Sequence, residues 1–102
     1  MNSPKPTSFI MTLPDGRRQS LTSYSFKSSG DEIPLHVHDF WHSCCCTAGS
    51  VELYDENGKT RVVMSNQFAE FSPGRKHGIR ALSDNTVTIH MAQPGEISEE
   101  NV

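Results

Sequence analysis

Apolar residues along this chain come in short runs, each stopped by turn-forming residues, which is the pattern of an all-β protein. Residues 9–13 form a first run that ends at Pro14-Asp15-Gly16, where proline presets φ and glycine accepts a positive one. Residues 19–26 follow and are broken by Ser28-Ser29-Gly30-Asp31. After Pro34 comes a short extended piece at 35–38, then a strand at 41–47 that stops at Ala48-Gly49. Residues 51–54 and 60–64 flank Asp55-Glu56-Asn57-Gly58, a strong hairpin signal through Asn-Gly. A strand at 68–71 closes at Pro73-Gly74, and strands at 79–82 and 86–91 flank Ser83-Asp84-Asn85. The last of these alternates, with Val87, Ile89 and Met91 on one face and Thr86, Thr88 and His90 on the other. No segment holds a helical apolar period. Closure disposes of sheet edges, so this many short strands in 102 residues point to one all-β domain, a closed barrel or a jelly roll.

Composition narrows the partners. Nine basic residues against twelve acidic ones leave a formal charge of -3, with no basic stripe to neutralise phosphates, so nucleic acid is not expected as a partner. No apolar run approaches the roughly 18 residues that cross a bilayer, and Met1 to Pro6 lack the apolar core of a signal peptide. The expectation is a soluble, cytoplasmic protein with no membrane partner. The polar ends, residues 1–8 and 93–102, are expected to be flexible; the second carries three glutamates. Cys44, Cys45 and Cys46 stand side by side and cannot staple distant loops, so they read as strand residues in a reducing compartment. A redox or metal-thiolate role is the alternative for them.

The chemistry lies in the histidines. Five occur, and His36, His38 and His42 fall within seven residues. On an extended segment, positions i and i+2 face the same side, so His36 and His38 can aim at one point. His42 lies beyond Asp39, where the chain can turn back, and the turn at residues 72–76 can aim His77 into the same cavity. Neutral imidazoles suit divalent transition metals, although an H-x-H pair alone is weak evidence.

Register sharpens this. The segment Gly30-(x5)-His36-x-His38-(x3)-His42-(x6)-Gly49 resembles the first motif of the cupin superfamily, with His42 where a glutamate is usual. Gly74-(x2)-His77 resembles the second motif, with Asn66 at its first glycine, Pro73 next to Gly74, and Ala81 at its final asparagine. The resemblance spans about residues 19–94. It implies a small double-stranded β-helix (jelly-roll) barrel that binds one divalent transition metal per chain through His36, His38, His42 and His77. The metal could be Zn, Ni, Fe, Mn, Co or Cu. Four neutral ligands would leave the ion its full +2, suited to an anionic or enolate-forming substrate. The implied function is a metal-dependent dioxygenase, isomerase or lyase acting on a small oxygenated or carboxylate molecule. A non-enzymatic ligand- or metal-binding module is the alternative, and copper or zinc buffering a third reading.

Around this centre, alternation puts Cys44 and Cys46 on the His42 face of their strand, as cavity wall. Asp39 is a candidate hydrogen-bond partner for an imidazole, or simply a turn residue. Arg75, Lys76 and Arg80 read as a basic cluster beside His77, and His90 as lying outside the site. Phe40, Trp41, Met64, Phe68 and Phe71 read as core or dimer contacts. The apolar Phe9-Ile10-Met11 on so small a domain leads to the expectation of a homodimer.

Overall fold

The computed structural model describes residues 3–92, which form nine strands in two antiparallel sheets. In chain order the strands are β1 (Lys5–Thr12), β2 (Arg18–Phe26), β3 (Glu32–His36), β4 (His42–Ala48) and β5 (Ser50–Tyr54), followed by β6 (Thr60–Met64), β7 (Gln67–Phe71), β8 (His77–Ala81) and β9 (Thr86–Ala92). One sheet runs β1-β2-β9-β4-β7 and the other β3-β8-β5-β6. Among the described residues, no helix is long and apolar enough to cross a membrane.

Most boundaries move by one or two residues, and two strands shift by more. The first strand begins at Lys5 rather than Phe9, because its polar residues pair with β2 along the whole hairpin, from Lys5 opposite Ser25 to Thr12 opposite Arg18. Residues 5–8 are therefore strand, while 93–102 lie outside the described residues. The piece expected at 35–38 is β3, which starts at Glu32, runs through Pro34 and ends at His36. Proline is tolerated here because β3 is an edge strand with a bulge, and its missing N–H faces no partner strand.

The inner faces of the two sheets meet in a core of Phe26, Cys44, Cys46, Val51, Leu53, Val63, Ala69, Phe71, Ile79 and Ala81. Residues directly opposite on neighbouring strands share a face, so the register builds rows across the five-stranded sheet. One inner row is Phe26–Thr86, the next Tyr24–Thr88–Cys46, the next Thr22–His90–Cys44–Ala69, and the last Ala92–His42–Phe71. The first rows, with Ile79, Val51 and Ala81 facing them, make the packed end of the barrel. The last rows open onto imidazoles.

Strand β9 is inverted with respect to its hydrophobicity. Its threonine face is the inner one, with Thr86 and Thr88 fully buried, while Val87 and Ile89 look outward and are only partly covered. The buried hydroxyls are satisfied: Thr86 Oγ1 donates to the Ser83 carbonyl at 2.8 Å, and Thr88 Oγ1 meets His90 Nε2 at 2.9 Å. Burial of hydrogen-bonded hydroxyls carries little penalty, so small threonines can line this face, Thr88 between Tyr24 and Cys46 and Thr86 between Phe26 and Gly49. His90 consequently points inward.

Candidate metal centre

His36 and His77 are placed by the β3–β8 pairing, in which they stand opposite each other at the ends of their strands. Between Ile33 and His36 the β3 chain carries one residue more than β8 does between Ile79 and His77. That extra residue reverses the alternation, so His36 follows Ile33 to the inside while Leu35 is exposed. His38, two residues on, returns to the same side, and its carbonyl accepts from the Gly74 N–H at 2.8 Å, tying it to the loop that delivers His77. His42 opens β4 on the inner face shared with Cys44 and Cys46, as alternation predicts.

The four rings converge. Centroids of His36 and His77 are 4.4 Å apart, His36 and His38 5.0 Å, His38 and His42 4.7 Å, and His42 and His77 4.9 Å. Ligand nitrogens of His36, His38 and His77 lie within 4.8 Å of one another, whereas His42 stands beside this trio. Two nitrogens bound to one ion at about 2.1 Å are at most about 4.2 Å apart, so small side-chain rotations bring the trio onto a shared ion.

Two carbonyls fix which nitrogen each ring offers. His36 Nδ1 lies 2.8 Å from the Pro34 carbonyl and His77 Nδ1 lies 3.0 Å from the Arg75 carbonyl. A carbonyl only accepts, so Nδ1 carries the proton and Nε2 keeps its lone pair, the arrangement usual in metal-binding histidines. His77 Nε2 and both nitrogens of His42 are sealed from solvent without a hydrogen-bond partner among the described residues. An unpartnered buried polar atom costs about 1–3 kcal/mol and calls for a ligand. Burial, reinforced by neighbouring imidazoles, holds His42 at about 4; burial also takes His77 to about 4 and lowers His38. Lone-pair-bearing imidazoles converging at the open end of the barrel, with sealed and partnerless nitrogens among them, fit a divalent ion.

The surroundings settle several residues. Phe71 stacks flat on His77 at 4.0 Å, and Phe40 tilts over His38 at 5.0 Å, so both hold imidazoles in place. Burial pushes the Cys44 thiol up to about 12, leaving it a protonated wall residue rather than a thiolate. Asp39 is exposed beside His38, and the carbonyls above, not this carboxylate, orient His36 and His77. The basic cluster is split: Arg80 lies on the outer face of its sheet, paired with Glu52 at 3.2 Å and Glu32 at 3.4 Å. Trp41, Met64 and Phe68 are exposed.

His90 is the residue sequence reasoning left out. It lines a cavity of about 90 Å³ together with His36, His38 and His42, and Tyr24 meets its ring edge-on at 4.8 Å. Its signal was present in the alternation of β9, which puts His90 with Thr86 and Thr88; what alternation alone does not reveal is which face is inward.

No family model and no curated protein matches the chain. Solved structures do. An uncharacterized protein with a double-stranded β-helix domain from Klebsiella pneumoniae superposes with a TM-score of 0.75 at 18% identity, covering 94% of this chain and 81% of that one. An RmlC-like cupin from Desulfovibrio desulfuricans gives 0.71 at 18% identity over 88% and 82%. An oxalate decarboxylase from Lactobacillus farciminis, in complex with formate, gives 0.72 at 18% identity, covering 99% of this chain but only 31% of its own length. The Bacillus subtilis oxalate decarboxylase, a protein with Mn(II) centres, gives 0.69 at 19% identity over 97% and 27%. With nine strands in two facing antiparallel sheets and a histidine cluster at the open end, the chain has the cupin fold, a double-stranded β-helix.

Proposed function

We propose that this protein is a mononuclear metal-binding cupin in which His36, His38, His42 and His77 hold one divalent transition ion, and that it is a metal-dependent enzyme acting on a small oxygenated or carboxylate molecule. The observation that carries this reading is the pair of carbonyl-fixed imidazoles next to three sealed, partnerless nitrogens. His36, His38 and His77 supply the convergent lone pairs, and His42 the fourth imidazole. A bound ion would supply Lewis acidity, stabilising negative charge that develops on a substrate oxygen. The chain's own part is to offer imidazoles, ligands that add no charge to the ion, and to hold His77 and His38 in place against Phe71 and Phe40.

Dioxygenase and isomerase or lyase chemistries both fit such a centre, and the likeness to manganese-containing oxalate decarboxylases favours small carboxylates as the first substrates to screen. One observation favours a non-enzymatic ligand-binding module instead: the described residues lining the histidine cavity include no carboxylate and no amine to move a proton. Elemental analysis of protein purified without a histidine tag tests the core claim. One equivalent of a transition metal per chain is expected, falling to a small fraction in His36→Ala and His77→Ala. Metal content unchanged in both variants would sink the assignment. A turnover screen of the reconstituted protein then separates enzyme from binding module.

A further inference from the structure

A second opening into the barrel is lined by the His77–Phe71 stack and by none of His36, His38 and His42. It follows from the topology. Strands β6 and β7 are joined by the turn at residues 65–66, yet each is the edge of its own sheet and no ladder links them, so the two sheets part along this seam. The lobe in the seam measures about 190 Å³, against about 90 Å³ for the histidine cavity, and its floor is apolar: Leu53, Ala69 and Phe71. Its rim is basic. Arg61 stands opposite Leu53 in the β5–β6 ladder and two residues from buried Val63, so it shares the inner face of its sheet. Lys59 closes the same hairpin, its carbonyl accepting from the Asp55 N–H at 3.0 Å. Arg75 and Lys76 come from the loop that delivers His77. Arg80 drops out of the basic cluster read from the sequence, and the β6 edge brings in two cations that their place along the chain kept out of it.

These cations are uncommitted. Lys59, Arg61 and Arg75 have no ion pair or side-chain hydrogen bond among the described residues, and Lys76 reaches only the exposed Glu56, at 3.7 Å. Of the two acids on the lobe, Asp55 Oδ1 is taken by the N–H groups of Asn57 and Lys59 at 2.9 Å each. Glu70 sits opposite Ser43, on the outward side of β7. Four cations against two carboxylates leave a surplus of two positive charges here, in a chain whose total is -3. Like charges gathered without partners repel one another and favour an anion between them. We propose that this lobe binds the phosphate group of a small phosphomonoester, its oxygens accepting from the Arg61 and Arg75 guanidinium groups and the Lys59 ammonium, with the apolar body of the ester against Leu53 and Phe71. A phosphomonoester carries about two negative charges at neutral pH, which matches the surplus, and arginine forks take its oxygens in pairs. The site is independent of the metal reading, because of the four clustered imidazoles only His77 touches it, as a wall.

Calorimetric titration of the full chain with inorganic phosphate and with phenyl phosphate, at fixed low ionic strength, tests this. Phenyl phosphate should bind about fivefold or more tighter than inorganic phosphate, through its ring on the apolar floor. Arg61→Gln and Arg75→Gln should each lose about tenfold in affinity, the usual worth of one charge-assisted hydrogen bond. Neither arginine has a side-chain partner to lose, so both variants keep the fold. Lys27→Gln, the same charge change on an exposed residue outside the lobe, should stay within about twofold of the parent. His36→Ala separates this site from the metal reading, since His36 does not line the lobe. Affinity kept in that variant supports the proposal whether or not the parent holds an ion; affinity lost there puts the anion on an ion at the histidines and overturns it. A parent that binds neither probe also overturns it, leaving Arg61 as a charge that guards a strand edge. So does an equal loss in Lys27→Gln, the mark of general charge attraction. Equal affinity for the two probes strikes the organic ester and leaves free phosphate as the ligand.

Discussion

Neutral imidazole has one lone pair, and at His36 and His77 the backbone decides where it points, because Nδ1–H is spent on the carbonyl two residues upstream. At His42 the Phe40 carbonyl, also two residues upstream, acts only weakly against burial, and both nitrogens are sealed without a full hydrogen bond among the described residues. Two predictions follow at this scale. His42→Glu should keep a metal bound and lower the net charge of the centre by one, weakening azide or formate several-fold by optical titration, whereas His42→Ala should weaken the metal itself. Anion and metal affinities unchanged in both variants would make His42 a bystander. The second concerns pH. His42 and His77 titrate at about 4 in the folded chain against 6.5 when exposed, and His90 at about 3. Between those values the unfolded chain binds protons that the folded one refuses, so stability is full above about 6.5 and declines as pH falls towards 4. Urea midpoints of the metal-free protein should therefore be lower at pH 5 than at pH 7.5. A flat profile would mean that these imidazoles are not held neutral by burial.

At the scale of elements, the motif spacing has a backbone explanation. Gly49 ends the first motif with φ +76°, and a Cβ there would meet Thr86 Oγ1 and Ser83 Oγ well inside van der Waals contact. Gly74 has φ +79° but open space around it. Left-handed backbone costs a non-glycine residue about 1–2 kcal/mol, so Gly74→Ala should destabilise by about that amount. Gly49→Ala carries the same penalty plus a clash with side chains hydrogen-bonded to each other at 2.9 Å, and should lose clearly more, measured by chemical denaturation. Equal losses would show that the clash relaxes freely. Asn66, standing where the motif has glycine, keeps the same backbone at φ +71°, since asparagine tolerates this region better than most side chains. Turn chemistry was therefore legible: the strands around Pro14-Asp15-Gly16, Asn57-Gly58 and Ser83-Asp84-Asn85 lie close to where their turns put them. Two features were not. A bulge depends on which strand β3 pairs with, so the entry of His36 into the cavity through Pro34 is a tertiary fact. Alternation defined the two faces of β9, but the inward one was chosen by the cysteines and Tyr24 on neighbouring strands.

For the molecule as a whole, the inversion of β9 has a cost on the outside. The register lines up Phe9, Leu21 and Met91 in one outer row of the five-stranded sheet, and Ile89, Cys45 and Phe68 in the next. Phe9 is 43% exposed and Phe68 57%, so these rows form an apolar surface across the sheet rather than scattered single residues. A small domain gains little from such a surface as a monomer, and contiguous apolar patches of a few hundred Å² usually mark an interface. The face is also two-fold compatible, because one copy can lay the same rows against those of another, and standard interfaces bury about 800 Å² per partner. We therefore expect a homodimer built on this sheet, with the histidine cavities lying inside each barrel and independent of the contact. Light scattering at micromolar concentration should give twice the mass of one chain. Ile89→Lys, in the middle of the patch and pointing away from the cavity, should shift the protein to monomer while leaving one metal per chain. A monomeric parent would end this reading. A dimer that survives Ile89→Lys would move the interface elsewhere, with the edge of β1 the next surface to probe by a proline at Ile10, which shares the outward N–H side of Pro6 and stands opposite Ser20 of β2.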